Sequence, residues 1–211
     1  MIEVWCRFPL PAPVQFRPVV RSIACALSFV CLAAHADNGT TVFVSGPVGV
    51  IQASGRVGSL AKGNDVKVGD LVRVGPNGRA QIRFPDGAYL SLMPGADLRV
   101  DAYRFGGNAK GKETAFFTLF RGSARFLAGA IGKTSGSRFR VTTPIALVEV
   151  RIGEFVVVVG QGMQVTVGAG QLSVRNDAGT LTLNAGQRGF VADRSTLPYL
   201  VGNVIPDRIA P

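Results

Sequence analysis

Short stretches in which polar and apolar residues alternate recur along most of the chain. They include residues 81–84, 89–92, 98–101, 138–141, 164–167, 172–175 and 181–183. A period of two is typical of a strand with one buried face, and no stretch keeps the 3.6-residue period of an amphipathic helix. Gly, Pro, Asn and Asp bound these stretches, so that strands recur about every 8–12 residues. The pattern predicts an all-β domain, built as a solenoid, a sandwich or a barrel.

Four regions depart from this alternation. Residues 155–159 are apolar without interruption, which predicts a strand that is covered on both faces. Residues 106–112, rich in Gly and Lys, and residues 129–137, rich in Gly and Ser, are predicted to be exposed loops. From residue 193 the pattern ends, and the prolines at 198, 206 and 211 predict an extended C-terminal tail over residues 193–211.

The first 36 residues have the features of a secretory signal peptide. Arg7, Arg17 and Arg21 precede an apolar stretch over residues 22–34, and Ala34-His35-Ala36 fits the small-x-small cleavage pattern. The apolar stretch is too short to span a membrane, since a spanning helix needs about 20 residues. We therefore predict cleavage after Ala36, export to the periplasm, and no membrane span in the exported protein. Residues 37–44 would form a short N-terminal extension.

The composition of the chain after residue 36 excludes several classes of functional site. All three Cys, the one His and the one Trp lie within residues 1–36, so the exported protein would contain none of them. Disulfides, Cys/His zinc sites, thiol nucleophiles and Ser-His-Asp triads are thereby excluded from it. We expect no enzyme activity, no catalytic residues, no metal and no cofactor. Of the 23 basic and 13 acidic residues, 20 and 12 follow residue 36, which gives a net charge of +8.

A series of short motifs over residues 45–192 resembles the FecR domain family, named for a periplasmic regulator of ferric citrate uptake. The motifs are Gly69-Asp70, an apolar strand before Asp86-Gly87, Leu119-Phe120-Arg121-Gly122, Val141-Thr142-Thr143-Pro144 and Ala185-Gly186-Gln187. Each is weak alone, but their order is specific. The resemblance implies a β-solenoid-like stack of short strands with Gly-rich corners, for which a sandwich or barrel is the alternative.

Two departures from the family pattern affect the expected function. Where the family has Arg-Gly-Thr-acidic-Phe, this chain has Arg151-Ile152-Gly153-Glu154-Phe155. We predict a reshaped turn there, in which Gly153 takes the positive φ that a branched residue disfavours. Membrane-bound regulators of the family carry a cytoplasmic anti-sigma region before their membrane span. Only about 21 residues precede the hydrophobic segment here, so we expect a free-standing periplasmic form.

Basic residues provide the candidate partner site. Arg138 and Arg140 lie two positions apart and therefore share one face of a strand, while Arg121 and Arg125 could lie on a neighbouring strand. Such a cluster would bind a cell-envelope protein or an anionic envelope polymer, and export argues against nucleic acid. The alternative is a solvated face that protects a sheet edge from aggregation.

Acidic residues have simpler interpretations. Glu149 and Arg151 also share a strand face, and we expect them to neutralise each other or to point to solvent, with a buried functional carboxylate as the alternative. Five aspartates lie mostly beside Gly, Asn or Pro and are predicted to stabilise turns: Asp65, Asp70, Asp86, Asp97 and Asp101.

Three functional hypotheses follow, all without catalysis. The first is a periplasmic binding or scaffolding module of the FecR type, which presents its β surface to a cell-envelope partner. The second is an accessory component of envelope signal transduction or secretion that binds a transporter domain by strand addition. The third is a protein that binds an anionic polysaccharide. The sequence specifies neither the partner nor the oligomeric state.

Overall fold

The computed structural model describes residues 38–107, 111–136 and 138–203, so the predicted signal peptide lies outside the described residues. The alternating stretches form strands. The first eight are β1 (Gly39–Ser45), β2 (Val48–Ile51), β3 (Val57–Ser59), β4 (Asp65–Val66), β5 (Leu71–Val74), β6 (Arg79–Arg83), β7 (Tyr89–Leu92) and β8 (Asp97–Arg104). The others are β9 (Thr114–Leu127), β10 (Arg138–Thr142), β11 (Leu147–Val159), β12 (Met163–Arg175), β13 (Thr180–Asn184), β14 (Gln187–Val191) and β15 (Tyr199–Asn203). One short helix, α1 (Ala130–Lys133), occupies the loop predicted over residues 129–137.

The strands pair along two routes, which we call the first and second layers. The first layer has the order β4-β1-β6-β7-β9-β11-β12-β14-β15. The second has the order β3-β2-β5-β8-β9-β10-β11-β12-β13. The long strands β9, β11 and β12 belong to both layers, because each contributes one half of its length to each.

The three shared strands change layer at glycines. Gly122 in β9 and Gly170 in β12 both have φ of +81°, and Gly153 in β11 has φ of +142°. A side chain at Gly153 would meet the backbone, since an added Cβ would lie 1.7 Å from the carbonyl oxygen of Ala169. Residues 151–155 are therefore a bend inside a continuous strand and not a turn, but Gly153 does have the positive φ that the sequence predicted.

Aromatic side chains form the centre of the core between the layers. Phe126 and Phe155 from the first layer pack against Phe117 and Phe139 from the second, with ring centroids 5.7–6.1 Å apart between the layers. Phe84 extends the cluster toward β8. Burial of such rings is a large favourable contribution to folding.

Residues 155–159 were expected to be covered on both faces, and this expectation is wrong. Phe155, Val157 and Val159 are buried, whereas Val156 is half-buried and Val158 is 39% exposed. Alternate residues of a strand point to opposite faces, and only the inner face of this layer packs on the core.

The all-β prediction is confirmed, but a solenoid is not. Successive coils of a solenoid stack in parallel, whereas the described strand pairs are antiparallel apart from β9 with β10. Hairpins and bent strands curl the sheet into a barrel-like sandwich, closer to the alternative. The predicted tail is also partly ordered, because residues 199–203 form β15. Within the described ranges, the structure contains no helix of the length and hydrophobicity that a membrane span requires.

Candidate partner-binding face

Phe116 is the centre of the outer face of the second layer. It is half-buried on β9 and pairs with Arg140 in the parallel β9–β10 ladder, where Arg138 is two residues earlier. The guanidinium carbons of Arg138 and Arg140 lie 5.8 and 5.4 Å from the centroid of its ring. Both distances are within the range of a cation–π contact. The two arginines therefore project together, with an aromatic ring between them that the sequence analysis did not identify.

Arg140 is neutralised by a carboxylate on the next strand. Its Nε donates a hydrogen bond to Glu149 Oε1 at 2.9 Å, and β10 pairs Arg140 directly with Glu149. Of the two expectations for Glu149 and Arg151, mutual pairing is wrong, because Glu149 pairs with its cross-strand neighbour Arg140. Arg151 is exposed and makes no ion pair with a described residue.

Arg121 and Arg125 do not join this group. Arg121 Nε lies 3.1 Å from Asp97 Oδ2, a carboxylate that it shares with Arg73. Arg125 lies beyond the bend of β9, in the first layer, where its Nε donates to Glu154 Oε1 at 2.9 Å. The four arginines therefore do not form the single self-repelling cluster that the sequence suggested, because three of them face acidic partners.

A different set of arginines lacks acidic partners. Thr114 pairs with Arg104 on β8 and with Arg138 on β10. Arg151 on β11 directly follows Val150, the partner of Phe139, and lies at a register shift between β11 and β12. Arg104, Arg138 and Arg151 are exposed and form no ion pair within the described ranges. We call these three residues the arginine row.

The alternation within β9 could have revealed part of this face from the sequence. Phe117 is buried, so Phe116 and Thr118 must face outward. An outward aromatic residue beside arginines is a common feature of binding surfaces. The contribution of Arg104 depends on the register between β8 and β9, which no local pattern specifies.

Asp70 and Asp86, predicted as turn residues, are buried and accept backbone hydrogen bonds. Asp70 Oδ2 accepts from the Lys67 amide at 2.9 Å, and its other oxygen from the Ala53 amide at 3.2 Å. Asp86 accepts from the Ala88 amide at 3.0 Å and from the Ile131 amide at 3.2 Å, which fixes the start of α1. These carboxylates thus hold loops together.

Three further turn positions from the sequence analysis have defined geometry. Gly69 and Gly87 have φ of +89° and +84°. Pro144 is exposed in the turn before β11, where the Thr143 hydroxyl accepts hydrogen bonds from the amides of Ile145 and Ala146. All three residues therefore lie where the chain reverses direction. Among the described residues, no group of His, Cys, Asp or Glu side chains is close enough to hold a metal ion.

A comparison with family models identifies the region that contains this face. Residues 70–173, from the residue before β5 to near the end of β12, match the model described as FecR protein. These residues are a FecR domain. The matched region includes the bends of β9, β11 and β12, together with Phe116 and the arginine row. It lies inside the span of residues 45–192 that the sequence motifs indicated.

Solved structures agree with the fold of the FecR domain. Two crystal structures of a proposed anti-sigma factor from Parabacteroides distasonis ATCC 8503, at 2.50 and 1.65 Å resolution, align with TM-scores of 0.54 and 0.53. Their sequences are 21% and 20% identical to this chain. Each alignment covers 66% of this chain and 62% of the solved chain, so the likeness concerns the fold of part of each protein. A search of curated proteins gave no match.

Proposed function

We propose that the chain is a non-enzymatic regulatory module of cell-envelope signal transduction, exported to the periplasm. The observation that supports this most directly is the FecR domain over residues 70–173. The description of the Parabacteroides distasonis structures as an anti-sigma factor supports a signalling role as well. In this proposal residues 1–36 are the cleaved signal, residues 37–44 an extension and residues 45–192 the binding domain.

The outer face around Phe116 is the surface that we assign to an envelope protein partner. Arg138 carries an uncompensated charge, and the neighbouring ring and the stem of Arg140 provide apolar area. Interfaces derive much of their binding energy from aromatic and arginine side chains of this kind. The partner surface would be acidic, since it must compensate Arg138 without displacing Glu149 from Arg140.

The arginine row favours a second candidate function, binding of an anionic polysaccharide. Arg104 and Arg138 both pair with Thr114, so they lie on a line that crosses the strand direction, and Arg151 lies on the next strand, β11. Adjacent strands are about 4.8 Å apart, so Arg104 and Arg138 are about 10 Å apart along this line. A linear polymer with regularly spaced carboxylate or phosphate groups could contact all three guanidinium groups.

A charge reversal at the centre of this face tests the proposal. We expect Arg138→Glu to abolish capture of the partner from envelope extract, and about 1 M salt to do the same, because the Debye length then falls to about 3 Å. Arg175→Glu is the matched control, since Arg175 is exposed on β12 in the same layer and changes the net charge equally. If the wild type, Arg138→Glu and Arg175→Glu captured equal amounts of partner, the assignment of this face would be contradicted. Survival of the captured material after protease digestion would select the polysaccharide.

A further inference from the structure

The strand β15 is an open edge of the first layer. Among the described strands it pairs only with β14, so one row of its backbone N–H and C=O groups faces no other strand. Tyr199, Leu200 and Val201 are 51%, 47% and 50% exposed. No charged residue occurs over residues 195–203. An exposed, apolar and uncharged edge is a template for pairing with another strand.

Two of the other three edges that the structure describes are much shorter. β4, at the opposite edge of the first layer, has two residues, and β3 in the second layer has three. β13, the remaining edge of the second layer, is as long as β15, but its exposed residues Thr180, Thr182 and Asn184 are polar. Short edge strands are one of the means by which proteins prevent unwanted pairing. β15 has five residues without a charge or a proline, and its pairing with β14 has one register shift, between Arg188 and Gly189.

The connection before β15 holds this edge in position. Asp193 Oδ1 accepts hydrogen bonds from the amides of Ser195 and Thr196 at 2.8 and 2.7 Å. The side-chain amide of Asn176 donates to the carbonyl oxygens of Asp193 and Thr196 at 3.0 and 2.6 Å. An added strand would therefore meet an edge that is already ordered, which reduces the entropy lost on binding.

Arg188 on β14 indicates the charge that an added strand would need. It is a neighbour of Gly202 on β15, and its Nε is buried without a hydrogen-bond partner in the described structure. A buried donor without a partner is costly, and an arginine next to an open edge can be satisfied by a carboxylate from outside. Gly202 has no side chain, and a Cβ placed there would meet nothing within 4 Å, so the path across β15 is open.

We propose that β15 accepts an extended, acidic segment of another protein as an added strand, with a carboxylate of that segment paired with Arg188. Main-chain hydrogen bonds along β15 would supply affinity, and contacts with alternate side chains would supply specificity, as in other strand additions. This surface lies in the first layer and involves none of the arginine row. It is therefore a site beyond the one proposed above, and it can fail or hold independently.

A second copy of the chain fits this edge less well. Pairing of β15 with its own symmetry mate would bring two copies of Arg188 to one sheet, and no carboxylate over residues 195–203 would compensate them. The net charge of +8 on residues 37–211 adds repulsion between copies and attraction to an acidic segment.

Two synthetic peptides test the proposal with the purified full chain. Both have ten residues in which Val alternates with Thr, except that the fifth residue is Glu in one peptide and Lys in the other. We expect the Glu peptide to bind at least about tenfold more tightly, since a charge-assisted hydrogen bond is worth somewhat more than a factor of ten in affinity. Hydrogen exchange should slow over residues 199–203 when this peptide binds.

Two charge reversals separate the Arg188 contact from general attraction. Arg188→Glu should remove the preference for the Glu peptide, whereas Arg194→Glu, an exposed residue in the preceding loop, should change its affinity by less than about twofold. The proposal is overturned if the Glu peptide does not bind, if both peptides bind equally, or if protection appears over β3 or β13. It is also overturned if the unliganded protein sediments as a dimer that Val201→Lys dissociates.

Discussion

Replacement of Gly153 by Ala should be among the most destabilising single changes in the FecR domain. Two costs add at this position. A non-glycine residue at φ of +142° is strained by about 1–3 kcal/mol. The new Cβ would also lie 1.7 Å from the carbonyl oxygen of Ala169, so β11 and β12 must separate, at a cost typical of overpacking, about 1–3 kcal/mol. We expect a loss of about 4 kcal/mol, a large fraction of the total stability of a domain.

Gly87→Ala is the matched control for this variant. Gly87 has φ of +84°, but nothing lies within 4 Å of its added Cβ, so only the backbone strain of about 1 kcal/mol applies. Urea denaturation followed by far-ultraviolet circular dichroism would measure both free energies of unfolding, since β-structure dominates the signal. If Gly153→Ala costs no more than Gly87→Ala, the close approach of the two strands at the bend is wrong.

Two further changes test other parts of the structure. Asp86→Ala should lower the free energy of unfolding by about 2–4 kcal/mol, because the buried amides of Ala88 and Ile131 lose their acceptor. Hydrogen exchange at the Ile131 amide should accelerate, and an unchanged rate would contradict its hydrogen bond to Asp86. Hydrogen bonds from the Thr196 hydroxyl and then from Ser195 hold the pKa of Asp193 below its ordinary 3.8. The contribution of this carboxylate to stability is therefore complete above pH 3.8, and it is lost as the pH falls through the lower pKa of the folded state. Amide resonances of Ser195 and Thr196 should therefore titrate with a midpoint below 3.8, and a midpoint above it would refute the hydrogen-bonded turn.

The sequence was sufficient to predict the fold class, because alternation reports directly on which residues face the core. It could not reveal the architecture. The bends at Gly122, Gly153 and Gly170 occur inside strands, where a glycine has the same appearance as a turn residue. Val156 and Val158 show that an apolar stretch alone does not determine burial. Residues 155–159 are apolar throughout, yet only one face of the strand is covered.

For the candidate face, the sequence predicted only which residues of one strand lie on the same side. That Arg138 and Arg140 share a side follows from the period of two. Their partners depend on register between strands that are distant in sequence: Arg140 meets Glu149 through β10–β11, and Arg121 meets Asp97 through β8–β9. In each pair, an arginine that the sequence analysis treated as unpaired is neutralised by a carboxylate. The pattern of residues within one strand does not show which residue of another strand will lie opposite.

The passage of β9, β11 and β12 through both layers has a mechanical consequence. In a sandwich of two separate sheets, a sideways load on one sheet is resisted only by side-chain packing, and the sheets can shear. Here three backbones cross from one layer to the other, so the load is carried by covalent bonds and by the ladders on either side of each bend. A force applied at β15 would pass through β14 to β12 and along the backbone of β12 to its pairing with β13.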